Sequence, residues 1–233
     1  GRVTKDDILS FLDTGAALKP QDLLIKPITS VSTPTITPQT ATVPATAAVT
    51  ASATDRIEHM SNMRKKIAER MVFLKQTAAH VTSVYEIDKT NIVKFRDKNK
   101  NAFAERFGTK LTYMPFIFLG VCKALRQFPI INSQVNGDQI IYKGDVNLGM
   151  AVSLDWGLIV PVIKNADQLS LSGLCLQAND LAERARLKKL NPNEVQDGTF
   201  TITNTGTFGG LFGTPIIPQP QSAILCFGTI EKR

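Results

Sequence analysis

The chain has 233 residues, of which 43% are hydrophobic, and a formal net charge of +7. This composition is that of a protein with enough apolar residues to bury a core, and it excludes a wholly disordered chain. The longest apolar run, residues 114–121, is far shorter than the roughly 20 residues that cross a bilayer, so we expect no membrane partner. The positive charge fits a phosphate-bearing cofactor, and without a recognition motif we expect no nucleic acid.

Residues 1–15 predict one short amphipathic helix, with Thr4 as its N-cap and Gly15 at its end. So short a segment cannot bury an apolar face alone, and we interpret it as the end of a larger domain. Residues 16–54 are rich in Ala, Pro and Thr, and prolines at this density oppose both helix and sheet. We therefore predict a disordered, extended linker, followed by a folded body over residues 55–233.

The folded body predicts helices that alternate with strands. Ser61 caps a first helix, whose apolar face is Met63, Ile67, Met71 and Leu74. A strand over residues 81–87 and a second helix, from Asp88 to Gly108, follow. A third helix begins at Pro115 and a fourth at Ser170. The remaining strands are predicted over residues 139–143, 146–154, 157–163, 198–203 and 223–228. Helices and strands without regular crossover spacing indicate an α/β fold with a mixed sheet.

The three cysteines are Cys122, Cys175 and Cys226, and each lies among apolar neighbours. They are odd in number, widely spaced and contain no C-x-x-C pair. This pattern favours buried, reduced thiols over disulfides or a zinc site. We predict no metal site.

Five segments occur in a recognisable order: 60–71 (MSNMRKKIAERM), 80–88 (HVTSVYEID), 147–171, 200–210 (FTITNTGTFGG) and 214–225 (TPIIPQPQSAIL). They resemble the catalytic core of the acyltransferase components of 2-oxo acid dehydrogenase complexes. The opening GRVTKDDI is similar to the end of that family's peripheral subunit-binding domain, and the linker to its swinging arm. The resemblance implies a remnant of the binding domain (1–15), a flexible linker (16–54) and a catalytic core (55–233) that is incomplete at its C-terminus. It also implies a mixed sheet flanked by helices, as in chloramphenicol acetyltransferase.

The family transfers an acyl group between a dihydrolipoyl thiol and coenzyme A. The resemblance assigns to Thr203 the hydroxyl that donates a hydrogen bond to the tetrahedral oxyanion, and the family allows Ser or Thr there. Taken alone, Thr203 is explained equally by strand propensity. The family's catalytic base is a histidine in a His-x-x-x-Asp-Gly motif, which neither His59 nor His80 matches. We therefore expect the base and its aspartate beyond Arg233, and negligible activity from residues 1–233 alone.

The remaining expected site residues follow from the same resemblance. We predict substrate-binding roles for Asn204, Gly206, His80 and Trp156. For Asn204 and Gly206 a purely structural turn is the alternative, for Trp156 a core position, and for His80 a structural role. The phosphates of coenzyme A are expected at Arg64, Lys65, Lys66 and Arg70, with the basic end of the helix from Ser170 as a second candidate. A solvated helix face is the alternative for both. The lipoyl group is expected on an upstream domain outside this chain.

The resemblance implies a homotrimer within a larger core, with dehydrogenase and dihydrolipoamide dehydrogenase subunits held through the binding domain. It implies the bacterial cytoplasm or, in a eukaryote, the mitochondrial matrix. Two alternatives stay open: a non-catalytic scaffold of the complex, and a stand-alone coenzyme A-dependent acetyltransferase. The acyl group is also open among acetyl, succinyl and branched-chain groups.

Overall fold

The computed structural model describes residues 50–155 and 157–232. Outside the described residues lie the helix predicted over residues 1–15, most of the predicted linker, and Trp156. The chain divides into two compact units, residues 1–58 and 59–233. In the first unit, residues 52–55 form a turn in which the Asp55 carboxylate accepts a hydrogen bond from the Ser52 N–H at 2.7 Å. The helices and strands described below belong to the second unit.

The described residues form four α-helices: α1 (Asn62–Thr77), α2 (Thr90–Phe107), α3 (Met114–Gln127) and α4 (Leu171–Arg186). Their ends follow the sequence. The Ser61 and Ser170 hydroxyls accept from backbone N–H groups in the first turns of α1 and α4. Gly108 ends α2 in the left-handed conformation, as predicted. No helix in the described part of the chain is both long and apolar enough to cross a bilayer.

The central sheet has four strands in the order β6-β3-β7-β8. Its strands are β3 (Leu148–Met150), β6 (Val162–Ile163), β7 (Phe200–Asn204) and β8 (Ile224–Phe227). β3 and β8 pair with β7 in parallel, whereas β6 pairs with β3 antiparallel. The predicted mixed sheet is therefore confirmed.

Two hairpins lie outside the central sheet. β1 (Ser133–Asn136) pairs with β2 (Gln139–Tyr142) through a two-residue turn in which Gly137 has a φ of +60°. The Asn136-Gly137 sequence is a strong hairpin signal, but β1 was not predicted. The second hairpin joins β4 (Val152–Leu154) to β5 (Gly157–Ile159).

The core lies between the central sheet and the helices α3 and α4. Its fully buried members include Phe118 of α3, Leu174 of α4, and Leu148, Ile163 and Ile202 of the sheet. Alternation along β7 separates two sets of side chains. Phe200 and Ile202 point into this core, whereas threonines 199, 201 and 203 point to the opposite face.

The structure differs from the predictions at one strand, one helix face and two long strands. Residues 81–87 pair with no strand among the described residues, and their apolar side chains are exposed, so they form no strand. On α1 only Leu74 is buried, whereas Met63, Ile67 and Met71 stay partly exposed. The two long strands predicted over residues 146–154 and 157–163 are each divided in two. Ala151 separates β3 from β4, and its N–H donates to the Ile202 carbonyl oxygen. Pro161 lacks an N–H and separates β5 from β6.

Candidate active site

Thr203 lies near the carboxyl end of β7, directly opposite Cys226 of the parallel strand β8. Its side chain is half-buried. Ligands of open α/β sheets bind in the crevice outside the carboxyl ends of the parallel strands. Both strands that carry Thr203 and Cys226 end within one residue of them. The predicted oxyanion donor thus stands at the edge of the sheet where a ligand is expected.

The neighbouring threonine hydroxyls are all engaged inside the protein. The Thr199 hydroxyl accepts from the Asn147 N–H at 3.1 Å, and the Thr201 hydroxyl donates to Gln221 Oε1 at 2.7 Å. The Thr205 hydroxyl donates to the Phe227 carbonyl oxygen at 3.0 Å. Thr203 differs, because its hydroxyl forms no hydrogen bond with any described residue. It is therefore free to donate to a ligand.

A tight turn follows Thr203. The Asn204 side-chain oxygen accepts from the Gly206 N–H at 2.9 Å, and a 3₁₀ turn (Gly206–Phe208) continues from there. A Cβ atom on Gly206 would lie 2.4 Å from the carbonyl oxygen of Gly228, so only glycine fits this close backbone approach. Both residues thus have a structural role in the turn, and their predicted contact with substrate stays a prediction.

Residues 213–221, here called the covering segment, pass along the threonine face of the sheet. At one end, a Cβ on Gly213 would lie 3.0 Å from the Cys226 sulfur. At the other end, the buried Gln221 accepts from Thr201 and donates from Nε2 to the Gly198 carbonyl oxygen at 3.0 Å. The covering segment is therefore held on both sides of Thr203. Gln221 was not predicted, because a glutamine in a proline-rich stretch gives no local signal of a contact 20 residues away.

His80 contacts the middle of the covering segment. Its Nε2 accepts from the Ile217 N–H at 3.0 Å, and its Nδ1 lies 2.8 Å from the Ala78 carbonyl oxygen. The other histidine, His59, is exposed and has no hydrogen-bond partner in the described part of the chain. The structure thus brings His80 near the threonine face but not His59. The prediction that the catalytic base lies outside residues 1–233 stays a prediction.

The four residues proposed for the phosphates of coenzyme A lie on α1. Arg64, Lys65, Lys66 and Arg70 are all exposed. Arg64 alone lines a cleft of about 500 Å³ between α1 and the β4–β5 hairpin, which it shares with Asp155. The Asp155 carboxylate would repel a phosphate in that cleft. The assignment of these residues to coenzyme A stays a prediction.

The basic end of α4 is partly neutralised. Arg184 donates to Asp180 Oδ2 at 2.7 Å and to Glu194 Oε1 at 2.6 Å. This guanidinium lowers the pKa of Glu194 to about 2, and the Asn191 N–H, which donates to the same carboxylate, contributes. The two carboxylates also raise the pKa of Arg184. Arg184 therefore fixes the end of α4 and is not available for a phosphate.

The cysteines are free thiols, as predicted. Cys122 and Cys175 are buried, and burial raises the pKa of the Cys122 thiol to about 11. A thiol with so high a pKa is a poor nucleophile at neutral pH. Cys226 is half-buried beside Thr203. Within the described residues, no group of three or more His, Cys, Asp or Glu side chains could hold a metal ion.

Comparisons with known proteins agree with this geometry. The succinyltransferase component of the 2-oxoglutarate dehydrogenase complex of Bacillus subtilis is 41% identical over 76% of this chain and 42% of its own length. The acetyltransferase component of that organism's pyruvate dehydrogenase complex is 40% identical over 100% of this chain and 51% of its own length. The chain thus spans about half the length of the curated relatives it matches.

A solved structure is similar over most of the chain. The cubic core of the pyruvate dehydrogenase multienzyme complex gives a TM-score of 0.78 at 33% identity, over 82% of this chain and 80% of that one. The predicted α/β fold, with a mixed sheet like that of chloramphenicol acetyltransferase, is confirmed by this likeness. The family model of the 2-oxoacid dehydrogenases acyltransferase catalytic domain matches residues 52–233. The chain therefore belongs to the 2-oxoacid dehydrogenase acyltransferase family, as its motifs predicted.

Proposed function

We propose that this protein transfers an acyl group between the dihydrolipoyl group of a lipoyl domain and coenzyme A, as part of the core of a 2-oxo acid dehydrogenase complex. One observation carries the proposal. Thr203 has the one free hydroxyl among threonines 199, 201, 203 and 205, and it lies at the carboxyl end of β7. The names of the relatives support the same reaction class.

The reaction needs a hydrogen-bond donor where Thr203 stands. Attack of a thiolate on a thioester carbonyl places negative charge on the carbonyl oxygen of a tetrahedral intermediate. A donor fixed before the reaction stabilises this oxyanion without reorganising. The covering segment and the turn at Gly206 fix the backbone on both sides of Thr203. The hydroxyl is thereby placed in advance, which is the condition for such stabilisation.

Replacing Thr203 tests the proposal. Thr203→Val keeps the β-branched shape and removes the hydroxyl, so kcat should fall by about 10²- to 10³-fold, as for other oxyanion donors. KM should change little, because the lost interaction forms only in the transition state. Thr203→Ser retains the hydroxyl and is the matched control. Steady-state assays of the intact protein measure both, and full activity of Thr203→Val would reject the assignment.

Coenzyme A is the proposed acyl acceptor, and the exposed cations of α1 are the proposed contact for its phosphates. Charge reversal at Lys65 and Lys66 should weaken coenzyme A binding and reduce its dependence on ionic strength. Titration calorimetry measures both. The same reversal at Lys94 and Lys98, which are exposed on α2, is the control. Unchanged affinity after reversal on α1 would place the phosphates elsewhere.

The acyl group is to be identified by assay. Acetyl-, succinyl- and isobutyryl-coenzyme A should be compared with the intact protein, and one should give the highest kcat/KM. Turnover of none of them would favour the non-catalytic scaffold. Turnover of free acyl acceptors, but not of a lipoyl domain, would favour the stand-alone acetyltransferase.

We also propose that the protein is a homotrimer within a larger core. Large apolar side chains are exposed on α1, on residues 81–87 and on the β1–β2 hairpin. Monomeric proteins rarely expose apolar surface on this scale. The solved relative forms a cubic core. Sedimentation velocity of the intact protein should show no stable monomer, and a monomer at micromolar concentration would contradict this assembly.

A further inference from the structure

The ring of His80 has two hydrogen-bonding partners of fixed polarity. Ile217 contributes a backbone N–H, which can only donate, at 3.0 Å from Nε2. Ala78 contributes a carbonyl oxygen, which can only accept, at 2.8 Å from Nδ1. A ring that satisfies both must carry its proton on Nδ1 and a lone pair on Nε2. The partners therefore define one neutral tautomer.

This tautomer makes His80 unsuited to the role of proton acceptor. The one nitrogen with a lone pair already accepts from Ile217. A proton on Nε2 would face the Ile217 N–H, which can only donate, and the hydrogen bond between them would break. The half-buried ring is committed to the backbone on both sides.

The contact with Ile217 lies at the middle of the covering segment, whose ends are held near Thr203. Gly213 lies close to Cys226, the residue that pairs with Thr203. Gln221 accepts a hydrogen bond from Thr201, which lies two residues before Thr203. Between these two ends, Ile217 is held to the chain at His80, 137 residues away in sequence. The covering segment is therefore fixed by hydrogen bonds at Ile217 and Gln221, and at Gly213 it lies close to Cys226.

We propose that His80 is a positioning residue for acyl transfer: as the neutral Nδ1–H tautomer, it accepts from Ile217 and holds the covering segment beside Thr203. The inference rests on the proposed function, since it is the Thr203 hydroxyl that the segment flanks. It assigns His80 neither to proton transfer nor to a direct bond with substrate.

The ring nitrogens give the first test, which needs no variant. Residues 1–233 contain two histidines, and in the ¹⁵N-histidine-labelled intact protein each of their rings is assigned through its own backbone amide, with the exposed His59 as the reference. We expect the signals of His80 to show a protonated Nδ1 and an unprotonated Nε2, with a coupling from Nε2 to the Ile217 amide. A proton on Nε2, or a ring that exchanges between the two tautomers, would overturn the proposal.

Two substitutions give the second test. In His80→Gln the side-chain oxygen reaches about as far as Nε2 and can accept from Ile217, whereas the shorter His80→Asn cannot. We expect kcat to fall by about tenfold or more in His80→Asn, since misplacement by about 1 Å can lower rates by 10²-fold, with KM for coenzyme A little changed. His80→Gln should recover most of kcat. Equal loss in both variants, or full activity in His80→Asn, would contradict a positioning role.

The two proposals fail in different ways. If Thr203→Val is fully active, the proposed function is wrong, yet the ring spectrum of His80 still reports the contact with Ile217. If Thr203→Val is inactive and His80→Asn retains wild-type kcat, the proposed function stands and the positioning role is wrong. Should His80→Asn not fold, the ring spectrum and the His80→Gln kinetics decide the question.

Discussion

The two faces of β7 differ in chemistry although they belong to the same five residues. On one face, the apolar side chains of Phe200 and Ile202 pack in the core with α3 and α4. On the other, Thr201 and Thr203 present hydroxyls towards the covering segment. Alternation along a strand lets one face be anchored in the core while the other presents a functional group. Substitutions on the two faces should therefore affect stability and catalysis separately.

The largest effect on stability is expected on the core face. Ile202 is fully buried in the middle of β7, and Ile202→Ala should lower the free energy of unfolding by about 2–5 kcal/mol through lost burial and the cavity left behind. Denaturant titration measures the change. Thr203→Val is the matched control on the other face and should leave stability within about 0.5 kcal/mol, since its hydroxyl has no described partner. A loss below 1 kcal/mol in Ile202→Ala would mean that this core is not closely packed.

A smaller loss of stability is expected from the threonine next to the site. Thr201→Val removes the donor to Gln221 and leaves the buried amide oxygen without a partner, which should cost about 1–3 kcal/mol. The covering segment should also become more mobile, and this is measurable as faster hydrogen exchange at Ile217. Thr201→Ser keeps the hydroxyl and serves as the control. Unchanged exchange in Thr201→Val would show that Gln221 does not hold the segment.

The smallest effect on stability is expected at Glu194, which pairs with Arg184 of α4. The pKa of Glu194 is lowered from 4.5 to about 2 by Arg184 and Asn191. A carboxylate whose folded pKa is lowered stabilises the fold above its usual pKa, and that contribution is lost as the pH falls from 4.5 towards 2. The stability difference between the wild type and Glu194→Gln should therefore shrink over this range. A difference that is constant from neutral pH to pH 2 would contradict it.

Sequence patterns predicted the parts of the molecule that depend on local or periodic signals. The caps Ser61, Ser170 and Gly108 and the proline that opens α3 were all placed correctly. The position of Thr203 on a strand of a mixed sheet was also predicted. These features are encoded within one or two turns of helix, or by alternation along a single strand.

The features that were missed depend on contacts between distant residues. Nothing near His80 or Gln221 in the sequence indicates their partners, which lie 137 and 20 residues away. Residues 81–87 are rich in β-branched and aromatic residues, as strands are, but a strand forms only where another strand is available to pair. The apolar positions of α1 likewise show helical periodicity without showing which surface covers them.

In the proposed homotrimer, the exposed apolar side chains of α1 and of residues 81–87 would link the stability of the fold to the protein concentration. Association that covers them involves folded chains and not unfolded ones, so it shifts the folding equilibrium by mass action. The midpoint of thermal unfolding should then rise with protein concentration. Dilution would act on this protein as a mild denaturant.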